Sequence, residues 1–443
     1  MVIHQFEDKN LAHYSYAIVS NGEMAVIDPA RNPQPYYDFA ISQKARITAV
    51  IETHPHADFV SSHLEIHQSS GATIYVSKLL GAEYPHQTFD EGEAIVLGGI
   101  TLKALNTPGH SPDSISVVAL NEDGKEHAVF TGDTLFIGDC GRPDLRESAG
   151  AITAAREELA RQMYHSLRDK LLPLTDQVLV YPAHGAGSLC GKGLSKQNVS
   201  TIGAEKLTNW SLQKMSETDF IKNLLADQPF VPKYFPFAVG INKRGADHFR
   251  DSIRKVKRAP LPESTNVTII DARPERLFKK AHHKGAINLM RDTKFETWLG
   301  SIVNPGEPFY LIAESEEVLN ELIERIARVG YESQIQGVSV EDAGSHEMNI
   351  FDPELLRKTE DAFTIIDIRN PSEVKASKIF EKAIHIPLYE LRERVKEIPT
   401  NKPVVVHCAG GYRSAAGSTI VRSALHGSVP VFDLSEAVKT FQE

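Results

Sequence analysis

The chain has 443 residues, of which 41% are hydrophobic and 24% charged, a composition typical of soluble folded proteins that excludes disordered and fibrous classes. At about 150 residues per domain, this length predicts two or three globular domains. The 48 Lys and Arg residues and 58 Asp and Glu residues give a net charge of −10, which argues against nucleic acid or an anionic membrane as partner.

The number of cysteines and the N-terminal residues indicate the cellular compartment of the protein. Three cysteines cannot form a disulfide framework in a chain this long, so a cysteine that matters is expected to act chemically. The N-terminal residues lack a basic segment followed by an apolar one, and no apolar run approaches the roughly 20 residues of a membrane span. These features predict a cytoplasmic protein, which we also expect to form a homo-oligomer.

Short β-rich runs alternate with turns and a few helices in the first half of the chain, which predicts a layered α/β domain. The clearest runs are Ile47–Ile51, Ala94–Leu97, His127–Phe130 and Gln177–Tyr181. Leucine and methionine at four-residue spacing predict one helix from Ser148 to Leu172. Proline becomes frequent at residues 229–236 and 258–262, so we place the end of this domain, with its linker, at residue 260.

The rest of the chain contains an internal repeat. Residues 267–273 (VTIIDAR) are echoed by residues 363–369 (FTIIDIR). We therefore predict two copies of one small α/β domain, at residues 261–353 and 354–443. In this register Cys408 of the second copy corresponds to Ala313 of the first, so only the second copy can use a thiol.

Polar side chains collect where several predicted strands of the first domain end. His54, His56 and Asp58 follow the run at residues 47–51, and three further strand ends carry His110, Asp133 and His184. Metal-binding imidazoles and carboxylates must converge from rigid elements, so this recurrence indicates a metal site.

These motifs resemble, in order and spacing, those of the metallo-β-lactamase superfamily, whose fold is an αββα sandwich. Superfamily hydrolases such as glyoxalase II continue the first motif with another histidine and bind two metals. Here Phe59 occupies that position, and a phenyl ring cannot ligate a metal. We therefore expect one metal per chain.

The resemblance is to the persulfide dioxygenase branch of the superfamily, which binds a single metal. It implies His54, His110 and Asp133 as ligands of one Fe(II) ion, because two histidines and one carboxylate leave positions open for substrate and O₂. Zinc with a bound hydroxide is the other metal considered. The remaining members of the cluster, His56, Asp58 and His184, would orient ligands or bind substrate.

The loops after Asp133 and His184 hold further candidates. Arg142 could bind a substrate carboxylate or phosphate through two hydrogen bonds, and pairing with Asp144 is the equally weighted alternative. Cys140 and Cys190 could relay sulfur, but we favour burial without a chemical role for each.

Residues 404–414 run from a strand through a glycine-rich loop into a helix. The loop begins at Cys408, continues through Ala409, Gly410, Gly411 and Tyr412, and closes at Arg413. Inward-pointing N–H groups and the helix N-terminus predict a reactive thiolate that holds an anion together with Arg413. The spacing from Cys408 to Arg413 is shorter than in tyrosine-phosphatase loops, which suits a terminal sulfur. With the preceding Asp367-Ile368-Arg369 motif, the loop resembles that of rhodanese, a sulfurtransferase.

The whole architecture, an αββα domain followed by an inactive and an active rhodanese-type α/β domain, resembles bacterial fusions of persulfide dioxygenase and sulfurtransferase. The resemblance implies an enzyme that uses mononuclear Fe(II) and O₂ to oxidise a low-molecular-weight thiol persulfide to sulfite. A Cys408 persulfide would form thiosulfate from sulfite, or use thiosulfate in the reverse direction. The alternatives are a zinc thioester hydrolase similar to glyoxalase II and a non-catalytic persulfide carrier.

Overall fold

A computed structural model describes residues 1–146, 155–262, 265–340 and 344–442. The chain forms two units, Met1–Asp251 with Arg328–Gly330, and Ser252–Ala327 with Tyr331–Glu443. Within the described ranges, no helix is long and apolar enough to cross a membrane. The boundaries that we place at residues 260 and 353 stay predictions.

Two six-stranded sheets form the first unit, and in each the strands follow chain order. The strands of the first sheet are β1 (Val2–Asp8), β2 (His13–Ser20), β3 (Glu23–Ile27), β4 (Arg46–Ile51), β5 (Thr73–Val76) and β6 (Gln87–Thr88). The strands of the second sheet are β7 (Ala94–Leu97), β8 (Ile100–Asn106), β9 (Ile115–Leu120), β10 (Glu126–Gly132), β11 (Leu179–Pro182) and β12 (Ser200–Thr201). Neighbours are antiparallel, except that β3 to β6 are parallel and β10 is parallel to β11.

Alternating side chains along the strands create one core between the sheets and one on each outer face. Tyr16 and Ile18 of β2 share the central core with Val117 of β9, whereas Ala17 packs on the outer face of the first sheet. Helices from this unit cover both outer faces. They are α1 (Gln34–Ser42), α2 (His63–Ser70), α3 (Arg156–His165), α4 (Ile202–Thr208) and α5 (Glu217–Leu225); α6 (Phe235–Arg244) and α7 (Phe249–Arg254) follow in the chain. This is the predicted αββα sandwich.

The helix expected from Ser148 to Leu172 differs in detail from the prediction. Ser148 lies outside the described residues, and α3 is followed directly by a π-helical segment, Ser166–Leu171. There the Leu172 N–H donates to the Leu167 carbonyl at 2.9 Å. The apolar face is nevertheless as predicted, because Leu159 and Met163 are fully buried against the second sheet.

Two parallel four-stranded sheets of identical topology form the second unit. Their strands are β13 (Thr268–Asp271), β14 (Ile287–Asn288), β15 (Phe309–Ala313) and β16 (Ile335–Val340), then β17 (Thr364–Asp367), β18 (Ile384–His385), β19 (Val404–His407) and β20 (Val431–Asp433). The helices in this part of the chain are α8 (Glu275–Lys280), α9 (Phe295–Ile302), α10 (Glu316–Arg328), α11 (Pro353–Lys358), α12 (Pro371–Ala376), α13 (Leu391–Arg394) and α14 (Tyr412–Ala424). The spatial orders are β14-β13-β15-β16 and β18-β17-β19-β20, so the chain contains the internal repeat.

Strand pairing has the same register in the two copies, residue by residue, next to the position of the cysteine. Asp271 pairs with Ile312 in the first copy, and Asp367 pairs with His407 in the second. The residue that follows Ile312 in the first copy is Ala313, and the residue that follows His407 in the second copy is Cys408. The thiol is therefore replaced by a methyl group in the first copy.

Candidate metal centre and cysteine loop

The loops after β4, β8 and β10 bring His54, His110 and Asp133 together. Each residue offers one ligand atom, and these atoms lie within 4.8 Å of one another. The Nε2 atoms of His54 and His110 lie 3.7 and 3.5 Å from Asp133 Oδ2. All three side chains are buried. The structure thus assembles the three residues that the superfamily resemblance implies as ligands.

Hydrogen bonds on the far side of each ring fix which nitrogen faces the cluster. His110 Nδ1 lies 2.9 Å from the carbonyl of Arg142, which can only accept, so Nδ1 carries the proton. The Thr53 hydroxyl donates to Asp28 and lies 3.0 Å from His54 Nδ1, so its oxygen accepts from that nitrogen. Both rings therefore present an Nε2 lone pair, as metal-binding histidines do.

The unpaired atoms of the cluster fit a divalent metal. His54 Nε2 and Asp133 Oδ2 are buried and have no hydrogen-bond partner among the described residues. Leaving such atoms unsatisfied in an interior is unfavourable, and a coordinated cation would satisfy both. Two imidazoles and one carboxylate form the ligand set typical of non-haem Fe(II), with positions left open.

Electrostatics favour the protonation states that bind metal. Burial lowers the pKa of His54 and of His110, so both rings are held neutral. Burial would raise the pKa of Asp133, but His184, and to a lesser extent His110, lower it well below its ordinary value. Neutral imidazoles and an ionised carboxylate are the forms required for coordination.

The other predicted members of the cluster surround this group. His184 Nδ1 donates to Asp133 Oδ1 at 2.7 Å, and His184 Nε2 lies 2.8 Å from Asp58 Oδ2. Burial opposes a charge on His184, but the two carboxylates raise its pKa well above the ordinary value. His56 Nε2 lies 3.3 Å from Asp28 Oδ1. His184 therefore bridges two carboxylates, one of which belongs to the metal-binding group.

Phe59 stands where related two-metal hydrolases have a metal-binding histidine, and its ring packs against other aromatic rings. Its buried ring lies 3.9 Å from the ring of His13 and 4.4 Å from that of His56, measured between centroids. A histidine in this position could offer a nitrogen to a second metal, whereas the phenyl ring offers none. One metal per chain stays a prediction, because His56, Asp133 and His184 form a second group whose possible ligand atoms lie within 4.8 Å of one another.

Arg142 is placed differently from the substrate contact that we considered. Its buried guanidinium donates to both Asp144 oxygens, at 2.7 and 2.6 Å, and to the carbonyls of Leu189, Pro229 and Phe230. These bonds use the donors that a substrate anion would need, so the structure favours the equally weighted alternative, pairing with Asp144, over the substrate contact. What Arg142 gives the site is its carbonyl, which orients His110.

The two cysteines of the first unit have different surroundings. Cys140 packs in the apolar cluster between the second sheet and its helices. Cys190 Sγ lies within 4.8 Å of ligand atoms of Asp58 and His184. Burial, followed by the charge of Asp58, raises the Cys190 pKa well above its ordinary value, so the thiol is protonated in this state.

Asp28 and Thr53 support the site, and the sequence analysis missed both. Asp28 accepts from the Thr53 amide at 2.7 Å and from its hydroxyl at 2.8 Å. A signal existed, because Asp28 directly follows β3, just as the recognised cluster residues follow their own strands.

Gly132 allows Thr53 to approach the metal-binding group. Gly132 has φ +50°, and a Cβ there would lie 2.5 Å from Thr53 Oγ1. We expect Gly132→Ala to displace Thr53, release His54 and lower metal affinity by about 10–100-fold, the usual effect of losing a residue that orients a ligand. Competition with a chelator would measure this change.

Gly124→Ala is the matched control for this substitution. Gly124 has φ +74°, but a Cβ there meets nothing within 4 Å. It should carry similar backbone strain and keep wild-type metal affinity. Equal affinities in the two variants would contradict the role given to Thr53.

The cysteine loop of the second unit has the predicted shape. Cys408 is buried and follows β19, and the Gly411 amide donates to its Sγ at 3.2 Å. Gly411 has φ +104° and directly precedes α14. The Ala409 carbonyl accepts a hydrogen bond from Gln442, which anchors the outer part of the loop.

Glu373 of α12 positions Arg413, a contact that the sequence analysis did not anticipate. The Arg413 Nη1 and Nη2 atoms donate to the two Glu373 oxygens at 2.6 and 2.7 Å. Burial would lower the pKa of Arg413, but Glu373 raises it, so the guanidinium stays charged. Arg413 is thus oriented at the closing end of the loop.

We expect Glu373→Gln to slow sulfur transfer through Cys408. A charged hydrogen bond contributes about 1.5–3 kcal/mol, so loss of the bidentate pair should reduce the transfer rate about tenfold or more. Glu390→Gln removes one partner of Arg394, a more exposed arginine outside the loop, and is the control for loss of an arginine-glutamate pair. A rate in Glu373→Gln equal to that of the control would show that Arg413 needs no partner.

Both halves of the chain match families of known proteins. Residues 9–184 match the metallo-beta-lactamase superfamily and residues 352–443 match the rhodanese-like domain. The chain is 30% identical to human mitochondrial persulfide dioxygenase ETHE1 over 224 residues, which are 50% of this chain and 79% of that protein. It is 34% identical to a cytoplasmic hydroxyacylglutathione hydrolase of Arabidopsis thaliana over 176 residues, which are 39% of this chain and 63% of that protein.

A solved structure extends the likeness over most of the chain. It is a metallo-beta-lactamase from Staphylococcus aureus subsp. aureus COL, with a TM-score of 0.69 and 33% identity, covering 76% of this chain and 98% of that one. The chain therefore belongs to the metallo-beta-lactamase superfamily, as a relative of the persulfide dioxygenases that also carries a rhodanese-like domain.

Proposed function

We propose that the protein is a mononuclear Fe(II) persulfide dioxygenase coupled to a rhodanese-type sulfurtransferase. The observation that carries the proposal is the buried group of His54, His110 and Asp133, with the unpaired His54 Nε2 and Asp133 Oδ2 atoms directed into it. Phe59 beside this group favours the dioxygenase over two-metal hydrolases. The relationship to human persulfide dioxygenase supports the same substrate class.

The chain's own residues have distinct tasks in this reaction. Iron held by His54, His110 and Asp133 would supply O₂ activation and a position for the persulfide sulfur. The Arg142 carbonyl and Thr53 hold the two imidazoles in the required orientation. His184 holds a proton between Asp58 and Asp133, and burial of the group excludes bulk water. O₂ takes up the electrons that the sulfane sulfur loses, and water supplies the third oxygen of sulfite.

The second unit would combine this sulfite with a further sulfane sulfur. The Cys408 thiolate attacks the outer sulfur of a persulfide R-S-SH, the S–S bond breaks, and R-S⁻ leaves. Sulfite then attacks the outer sulfur of the Cys408 persulfide, which releases thiosulfate and restores the thiolate. Both transfers are free of net oxidation, so the loop needs no cofactor.

The direct test is O₂ uptake by protein reconstituted with Fe(II) without air, after addition of a thiol persulfide. We expect metal-dependent uptake, with sulfite and thiosulfate as products. Absence of uptake with several thiol persulfides would overturn the dioxygenase proposal. Sulfur loading of Cys408 without any turnover would instead favour a persulfide carrier.

A zinc thioester hydrolase is the second candidate, because the chain is 34% identical to a hydroxyacylglutathione hydrolase over 176 residues. Hydrolysis of an acylglutathione by the zinc-loaded protein, with no O₂ uptake by the iron-loaded form, would establish it. The stack of Phe59 on His13 and His56 argues against the second metal that such hydrolases use.

A further inference from the structure

A cleft in the second unit adjoins the Cys408 loop. It has a volume of about 940 Å³, within the range of sites for organic ligands and far above what sulfite or thiosulfate occupies. Gly410, Gly411 and Tyr412 of the loop line one part of it. The opposite wall comes from the first repeat, through α8 and the segment near Met290.

Residues of the first repeat also form hydrogen bonds and ion pairs with the segment that adjoins the Cys408 loop. Ser435 donates to Glu275 Oε2 at 2.7 Å, and Lys279 Nζ lies 3.2 Å from Asp433 Oδ2. Trp298 of α9 lies below Arg413, with the guanidinium carbon 5.9 Å from the ring centroid. The repeat that lacks a cysteine therefore forms one side of the site at which the other repeat holds its cysteine.

Some of the basic side chains on the cleft wall are paired with carboxylates, and others are not. Lys279 is paired with Glu275 and Asp433, and Arg291 is paired with Glu321. Arg276 and Lys280 lie on consecutive turns of α8, are exposed, and form no ion pair with a described residue. They are the available cations of the wall.

The remaining surface of the cleft is partly apolar and partly acidic. Met348, Ile350 and Phe351 line one side, and Ile350 is 86% exposed. The acidic residues Asp292 and Glu436 also line the cleft, and Glu436 lies 3.8 Å from Lys439. An occupant that matches this surface has an organic body and a negative charge.

We propose that this cleft binds the organic part of an anionic thiol persulfide that delivers sulfur to Cys408, and that Arg276 and Lys280 recognise its negative charge. The inference rests on the sulfurtransferase function proposed for Cys408. The Cys408 thiolate takes the outer sulfur of R-S-SH, the S–S bond breaks, and R-S⁻ leaves through the cleft and takes a proton from water. Carboxylate-bearing and phosphate-bearing thiols share the required chemistry.

The test compares persulfide donors in wild type and in the double variant Arg276→Glu with Lys280→Glu. Sulfur added to Cys408 is followed by mass spectrometry, with the persulfides of glutathione, coenzyme A and 2-mercaptoethanol as probes. We expect wild type to load faster from the two anionic donors than from the neutral one. The ratio of anionic to neutral loading rates should fall about tenfold in the double variant. A larger fall for coenzyme A than for glutathione would identify phosphate as the recognised group, and the opposite order would identify carboxylate.

The control Lys358→Glu with Lys396→Glu changes the net charge equally at exposed sites outside the cleft lining. It should keep the wild-type ratio. Normal loading in the Arg276 and Lys280 variant, with the ratio unchanged, would overturn the cleft proposal alone. Failure of wild type to load Cys408 from any donor would overturn the sulfurtransferase function itself.

Discussion

Cys408→Ser is expected to change the product from thiosulfate to sulfite while O₂ uptake is largely kept. A serine hydroxyl cannot carry sulfane sulfur, but it can still accept the Gly411 amide, so the loop should keep its shape. Thiosulfate formation should fall by at least about 100-fold, because the nucleophile itself is removed. Sulfite, thiosulfate and O₂ measured in one reaction would provide the check.

Cys140→Ala is the control for loss of a thiol. Cys140 packs among apolar side chains of the first unit and should be dispensable for product formation. The prediction fails if Cys408→Ser still forms thiosulfate at the wild-type rate. Parallel loss of O₂ uptake would contradict the assignment of oxidation and sulfur transfer to separate groups.

Removal of His110 is expected to abolish both iron binding and O₂ uptake. His110→Ala deletes one of the three ligand atoms that His54, His110 and Asp133 offer, and leaves the Arg142 carbonyl without its donor. Residues that only orient a ligand are worth about 10–100-fold in metal affinity, so loss of a ligand should cost at least about 100-fold. Iron per chain, measured after reconstitution and desalting, reports binding independently of activity.

His165→Ala is the matched histidine control. His165 ends α3, is exposed, and pairs with Asp169 and Glu217. This variant should bind iron and consume O₂ as wild type does. Full iron content in His110→Ala would remove His110 from the ligand set, and would point to the neighbouring group of His56, Asp133 and His184.

Local patterns in the sequence were sufficient to locate the main chemical groups. His54, His110 and Asp133 each follow a strand, and the β-rich runs Ile47–Ile51 and His127–Phe130 indicate two of these strands. Because these strands belong to the two sheets of one sandwich, their ends meet, and so do the side chains that follow them. The match between residues 267–273 and 363–369 likewise predicted two sheets of equal topology.

Partners distant in the sequence were not predictable in the same way. Pairing of Arg142 with Asp144 was one of the two expectations, but its bonds to the carbonyls of Leu189, Pro229 and Phe230, and the hold of Glu373 on Arg413, were not foreseen. A sequence shows that an arginine is present, but not which acceptors the fold brings within reach of its donors.

The sequence by itself located the two candidate centres, since each depends on residue types at short spacing along one segment or at successive strand ends. Only the tertiary structure decided what surrounds them. It placed Thr53 and Asp28 behind His54, stacked Phe59 on His13, and set Arg276 and Lys280 of the first repeat across the cleft from the Cys408 loop. These contacts join residues far apart in the chain, and packing of the elements, not local spacing, brings them together.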